Sequence, residues 1–256
     1  MARVAHLSDL HFGEAPAALV ASLGADIRAQ AVDFLAVSGD LTRRAETGEF
    51  TAALNFLTGL ELPMLVVPGN HDIPRYDLRA RFLHPRRRWD RAGANAFGAP
   101  LQGHGLRLVG LDTVSRAQWH LDWAAGSVPA ERRSALAPRL DGTGMILLVC
   151  HHPLRHKPWA ATRHAPRHAA ETMALLKTYG VAGVLCGHLH QPELLRLGPD
   201  GPLQIIAPSA FSPRVPRALG GTPNGWNLIE ASAGQIAVTT REWLGDAWVG
   251  RRLGEG

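Results

Sequence analysis

The chain has 256 residues, of which 46% are hydrophobic and 19% charged. That balance suits a single globular domain over residues 1–256 and excludes a disordered or fibrous chain; no apolar run approaches the roughly 20 residues that a bilayer span requires. The formal net charge of +5 comes almost entirely from arginine, since Lys157 and Lys177 are the only lysines, and it favours anionic partners without naming one.

The first apolar run is short and leads directly into Asp9, a pattern unlike a signal peptide. The two cysteines, Cys150 and Cys186, each close an apolar run and read as buried, reduced thiols. A cytoplasmic protein is expected.

Taken in order, Arg3 to Ser8 reads as a strand. Ala15 to Gln30 reads as a helix, with Leu19, Leu23 and Ile27 at helical spacing. Asp33 to Ser38 is almost continuously apolar, the pattern of a strand buried on both faces. Thr47 to Leu60 is a second helix with Phe50, Leu54 and Leu57 on one side, and Leu62 to Val67 a third strand. This alternation predicts parallel strands with right-handed crossovers, and sites in such sheets lie beyond the strands' carboxyl ends.

Arg79 to Arg91 is a basic stretch that reads first as a solvated face; the alternatives are contact with an acidic substrate, a membrane surface or a second subunit. Leu106 to Leu111 is a strand. Gln118 to Ala124 places Trp119 and Trp123 at helical spacing, and Pro129 to Leu136 is a short helix. Met145 to Cys150 is the next strand. Leu154 to His168 is a basic loop, carrying Arg155, Lys157, Arg163 and Arg167, expected to overhang the site and set specificity. Ala169 to Tyr179 is a helix and Val181 to Cys186 a strand. Beyond Gly187, the strands Leu203 to Ala207, Trp226 to Glu230 and Gln235 to Trp243 predict a second, mainly antiparallel sheet stacked on the first. Pro208 to Gly225 reads as a long loop and Gly250 to Gly256 as a frayed tail.

Five apolar runs end in residues that bind metals. Asp9 and His11 follow the first; Gly39-Asp40 the second; Gly69-Asn70-His71-Asp72 the third; His151-His152 and Gly187-His188-Leu189-His190 the last two. Asp, His and Asn together suit Mn, Fe or Zn better than Ca. Asp9, His11, Asp40, Asn70, His151, His188 and His190 are too many donors for one tetrahedral ion. They fit two ions that share a carboxylate, an arrangement which clamps the attacking and leaving oxygens of a phosphoryl displacement.

These five blocks, in this order and spacing, resemble the calcineurin-like metallophosphoesterases, with the likeness running from Val4 to His190. The resemblance implies a four-layered αββα sandwich, two stacked mixed sheets flanked by helices, with the metal site at the strand carboxyl ends. It implies a centre of two divalent or mixed-valence ions. Asp9, His11 and His190 would hold the first and Asn70, His151 and His188 the second, with Asp40 bridging. His151 is favoured over His152 as the first residue after its strand. His71 would face the substrate as a catalytic group, with Asp72 supporting it. The implied reaction is attack of a bridging hydroxide on the phosphorus of a small anionic phosphodiester, such as a cyclic nucleotide or glycerophosphodiester. The bacterial class III cyclic-nucleotide phosphodiesterases are the most similar branch. A nucleotide- or lipid-linked pyrophosphatase, a nuclease, and a non-enzymatic metal-binding module are the alternatives. Nucleic acid is disfavoured because no added DNA-binding segment is evident; peripheral membrane contact and a dimer stay open.

Overall fold

The computed structural model describes residues 1–115, 124–160, 163–212, 222–232 and 234–254. The first part follows the alternating pattern: β1 (Ala2–Leu7), α1 (Ala17–Ala29), β2 (Phe34–Val37), α2 (Thr47–Thr58) and β3 (Met64–Val66). The basic stretch then folds into two short helices, α3 (Leu78–Leu83) and α4 (Arg87–Arg91), followed by β4 (Leu101–Gly103), β5 (Leu106–Gly110), α5 (Ala130–Leu140), β6 (Met145–Val149), α6 (Ala169–Thr178) and β7 (Gly183–Cys186). The chain closes with β8 (Glu193–Arg196), β9 (Leu203–Ile206), β10 (Gly225–Ser232), β11 (Gln235–Trp243) and β12 (Trp248–Arg252).

Two mixed sheets result, in the orders β12-β11-β10-β1-β2-β3 and β4-β5-β6-β7-β9-β8. Their facing sides interlock through Val4, Phe34 and Leu65 from one sheet and Leu108, Leu147 and Leu185 from the other. The outer face of the first sheet packs on α1 and α2 through Leu7, Val37, Leu23 and Phe50. The outer face of the second packs on α5 and α6 through Leu148, Val184, Leu136 and Leu176. The expected αββα layering is therefore present.

Its construction departs from the expectation in one respect. The strands after Gly187 do not form a separate antiparallel sheet. β8 and β9 extend the second sheet, where β9 runs parallel to β7, while β10 returns antiparallel to β1. The reason is continuity of hydrogen bonding. β1 leaves an open edge opposite β2, and the apolar Trp226, Leu228 and Ile229 fill it. The tail also differs: Gly250–Arg252 pair with β11 rather than fray. α5 runs to Leu140, through Pro138, because both Leu136 and Leu140 are buried. The Trp119 and Trp123 segment lies outside the described residues, as does 213–221 of the long loop.

One buried group on β1 leaves a thermodynamic signature. His6 bonds Ser38 Oγ through Nε2 at 2.9 Å, and burial drives its pKa down to about 3, partly offset by Asp9. A value depressed below that of the unfolded chain means the ring enters the fold neutral. The stability this contributes is complete above the unfolded pKa of about 6.5 and is lost as pH falls from there towards 3. The variant His6→Gln is expected to flatten the acid limb of urea midpoints against pH by up to about 1.4 kcal/mol per pH unit. Superimposable wild-type and variant limbs would contradict a neutral buried ring.

Candidate metal centre

The five ligand-bearing loops leave two different sheets. Those after β1, β2 and β3 come from the first sheet, and those after β6 and β7 from the second. Sheet stacking brings both sets of carboxyl ends together. The backbone turns sharply there: among the described residues ten non-glycines have positive φ, and Asp9, His11, Asp40, His188 and His190 are five of them. Left-handed backbone is costly for such residues and concentrates at functional sites. The approach is also close. A Cβ at Gly187 would lie 1.7 Å from Ser8 Oγ and 2.4 Å from Asp9 Oδ2, so only glycine lets the two sheets' loops meet.

Each carboxylate is held by one oxygen and presents the other. Asp9 Oδ2 accepts from Ser8 Oγ at 2.6 Å and from the His188 amide at 2.9 Å, while Oδ1 lies 3.0 Å from His190 Nε2 and 3.7 Å from His11 Nε2. Asp40 Oδ1 accepts from the His71 amide at 2.8 Å, while Oδ2 lies 3.4 Å from His151 Nε2 and 3.9 Å from His11 Nε2. His151 Nε2 is 3.0 Å from Asn70 Oδ1, which is also 3.0 Å from His188 Nδ1. Asp40 thus stands between an Asp9–His11–His190 group and an Asn70–His151–His188 group.

The donor set fits metal ions on three counts. First, His11 and His151 each give Nδ1–H to a backbone carbonyl, that of Thr42 at 3.3 Å and that of Ser38 at 2.8 Å. In the neutral ring this turns the Nε2 lone pair inward, the tautomer that metal-binding histidines adopt. Second, inward lone pairs then converge: His11 Nε2 lies 3.3 Å from His190 Nε2, and His151 Nε2 faces the oxygens of Asn70 and Asp40. Spacings of this size match neighbouring donors around an ion with bonds of about 2.0–2.2 Å. Third, the charge states suit a cation. Burial pushes Asp9 and Asp40 upward, but the surrounding histidines hold both below the ordinary carboxylate value. Burial holds His188 well below the ordinary imidazole value, with His152 and His151 adding to the effect, so its ring is neutral.

Hydrogen bonding distinguishes His151 from His152. The nitrogens of His152 also fall near those of His151 and His188. Yet its Nε2 donates to the Ala124 carbonyl at 2.7 Å and its Nδ1 accepts from Thr113 Oγ1 at 2.8 Å, so neither nitrogen has a lone pair to offer. Burial drives its pKa to about 3, which agrees with a neutral ring.

His71 lies edge-on to His11, with ring centroids 4.9 Å apart. Its Nδ1 is held by Arg43, lying 2.9 Å from the carbonyl and 3.0 Å from Nη1 of that residue, and burial lowers its pKa. Asp72 supports it through the backbone and not through the ring. The carboxylate accepts from the amides of Leu41, Thr42 and Gly69 and from Thr42 Oγ1, stitching the Asn70–Asp72 turn to the loop after β2. Burial and the nearby Asp40 push Asp72 up to about 6 against these donors. Arg43, Thr42, Ser8 and the Ser38 carbonyl carry no signal in sequence, because serine, threonine and backbone groups gain these roles only by position. The loop from Leu154 is pinned to β9, with Gln204 Oε1 accepting from the Leu154 amide at 2.8 Å, and to β8, where Glu193 accepts from Trp159 Nε1 at 2.7 Å and pairs with Lys157 at 3.6 Å. That leaves Arg155, Arg163 and Arg167 exposed on the loop.

A model of the calcineurin-like phosphoesterase family matches residues 2–192. The chain belongs to that family. It is accordingly a metallophosphoesterase, and β1 to β3 of its first sheet and β4 to β7 of its second fall within the match. A relative from Fibrobacter succinogenes, named a "Probable cyclic nucleotide phosphodiesterase", is 25% identical over 215 residues, covering 78% of this chain and 74% of its own. Another of that name, from Moraxella catarrhalis, is 25% identical over 221 residues, covering 77% and 74%. Among solved structures, a dimetal phosphatase from Danio rerio superposes with a TM-score of 0.67 over 94% of this chain and 96% of its own, at 11% identity. That likeness is one of fold.

Proposed function

We propose that this metallophosphoesterase hydrolyses small phosphodiesters, of the cyclic-nucleotide or glycerophosphodiester kind, as one domain in the cytoplasm. Two ions, Mn, Fe or Zn, would be held by Asp9, His11 and His190 on one side and Asn70, His151 and His188 on the other, with Asp40 shared. The observation that carries the reading is the position of Asp40 Oδ2, within 3.9 Å of a histidine from each group. When bound, the ions would supply Lewis acidity and a water acidic enough to ionise near neutral pH. The residues' own tasks follow from their contacts. Asp9 and Asp40 supply the negative charge, the carbonyls of Thr42 and Ser38 fix two imidazoles, and His71, anchored at Nδ1, is available at its other nitrogen for the phosphate or the leaving oxygen.

Charge supports a diester over a monoester. Asp9 and Asp40 are the carboxylates of the donor set, and its other donors are neutral amide and imidazole groups. Two divalent cations, two carboxylates and an attacking hydroxide leave one net positive charge. A singly charged diester balances it; a doubly charged monoester overshoots and repels the nucleophile. The relatives' names point the same way. With the Mn-loaded protein, kcat/KM for bis(p-nitrophenyl) phosphate should exceed that for p-nitrophenyl phosphate. Equal or faster monoester hydrolysis would defeat the charge argument.

A further inference from the structure

α3 is built inside out. Its Arg81 is only 1% exposed and donates from Nη1 to the Pro74 carbonyl at 3.1 Å, whereas Leu78 and Leu83 are 51% and 60% exposed. At 100° per residue, Arg79 and Leu83 project opposite Arg81, with Phe82 and Leu78 on one flank between. Tyr76, just before the helix, is 74% exposed. Four of the chain's exposed large hydrophobics therefore fall within residues 76–83. A soluble helix normally turns its apolar stripe inward, and a concentrated exposed patch marks a surface that something else covers.

The charges around this patch identify the cover. Arg79, Leu83, His84, Arg87 and Arg91 line one cavity of about 720 Å³ between α3, α4 and the start of α2. Among the described residues no carboxylate lies within ion-pair distance of Arg79, Arg87 or Arg91. The neighbouring acids are engaged elsewhere. Asp77 caps α3 at the Ala80 amide and pairs with Arg88 at 3.4 Å, and Asp90 accepts from Asn95 at 2.6 Å. A free small anion would use the arginines but leave the leucines and Tyr76 in water. A second copy related by a two-fold axis would press this arginine cluster against its own image. An anionic lipid surface satisfies both features, with headgroup phosphates at the arginines and acyl chains against the apolar side chains.

We propose that the α3–α4 face docks this enzyme on anionic membranes. The Mn-loaded protein should co-sediment with vesicles of equimolar phosphatidylcholine and phosphatidylglycerol, and not with phosphatidylcholine alone, and added salt should release it. Each arginine near such a surface is worth roughly fivefold in partitioning, so replacing Arg79, Arg87 and Arg91 together with Gln should weaken binding about 100-fold. Leu78→Ser/Leu83→Ser should also release the protein. Both variants should hydrolyse a soluble diester as the wild type does, which checks that they are folded. Wild-type protein that stays in the supernatant, or either variant binding as tightly as the wild type, overturns the proposal. So does a wild-type dimer in light scattering that Leu78→Ser/Leu83→Ser splits without any vesicle binding; that result would assign the face to a second copy.

Discussion

Asp40→Ala is expected to lower turnover of a phosphodiester by well over 100-fold and to strip metal from both halves of the centre. Losing an outer partner of a metal ligand typically costs about 10–100-fold, and Asp40 is placed to do more. Its Oδ2 faces His151 Nε2 and His11 Nε2, one from each donor group, and its Oδ1 receives the His71 amide at 2.8 Å. Alanine removes all three links and one of the donor set's two carboxylates. Asp40→Asn separates these contributions. It keeps an acceptor for the His71 amide and much of the shape, but lacks the charge. Reconstituted wild type should approach two ions per chain by elemental analysis, and both variants should fall well short. A folded Asp40→Ala protein with two ions and wild-type turnover would remove Asp40 from the centre. Gly69→Ala should act on the same group indirectly, since its Cβ would lie 2.1 Å from Asp40 Oδ1.

Sequence was a good guide here where a position is decided locally. β2, β6 and β7 are continuous apolar runs and β1 is largely apolar, and each stops where ligand types begin, so the site could be placed at strand ends before any strand was paired. Pairing itself is a long-range property. Nothing within Trp226 to Glu230 shows that it will lie beside β1, some 200 residues earlier, instead of stacking in a sheet of its own; the open edge of β1 decides that. The site divides in the same way. Asp, Asn and His stand out by type, whereas the groups that aim them do not. The Ser38 and Thr42 carbonyls that set the tautomers of His151 and His11 are backbone atoms, and any residue could supply them. Likewise His151 and His152 are alike in sequence. Only Thr113 and Ala124, brought in from the loop after β5, consume the nitrogens of His152.

His71→Ala is expected to leave the metal content intact while lowering kcat by about 10²–10³-fold, the usual cost of one donor to a developing oxyanion. The geometry separates His71 from the donors that converge on Asp40. Its amide binds Asp40 Oδ1, so the residue sits beside the centre, yet its Nδ1 is turned away to the Arg43 carbonyl. A ring held at Nδ1 presents Nε2 with a defined orientation, which suits a group that must meet a substrate oxygen. The turn carrying it is fastened independently, through the four donors that Asp72 accepts, so deleting the imidazole should not move Asn70. Removing the fastener should have the opposite signature. Asp72→Ala frees the Asn70–Asp72 turn and should cost metal as well as turnover, because Asn70 is a proposed ligand. Burial lowers the pKa of His71, so its ring is neutral through most of the physiological range and gains its proton only below the ordinary imidazole value. If the protonated ring donates to the leaving oxygen, kcat of the wild type should fall as pH rises through that lowered value, and His71→Ala should abolish this limb. A variant that loses an ion, or that keeps the limb, would reassign His71 from substrate to metal or remove it from the reaction.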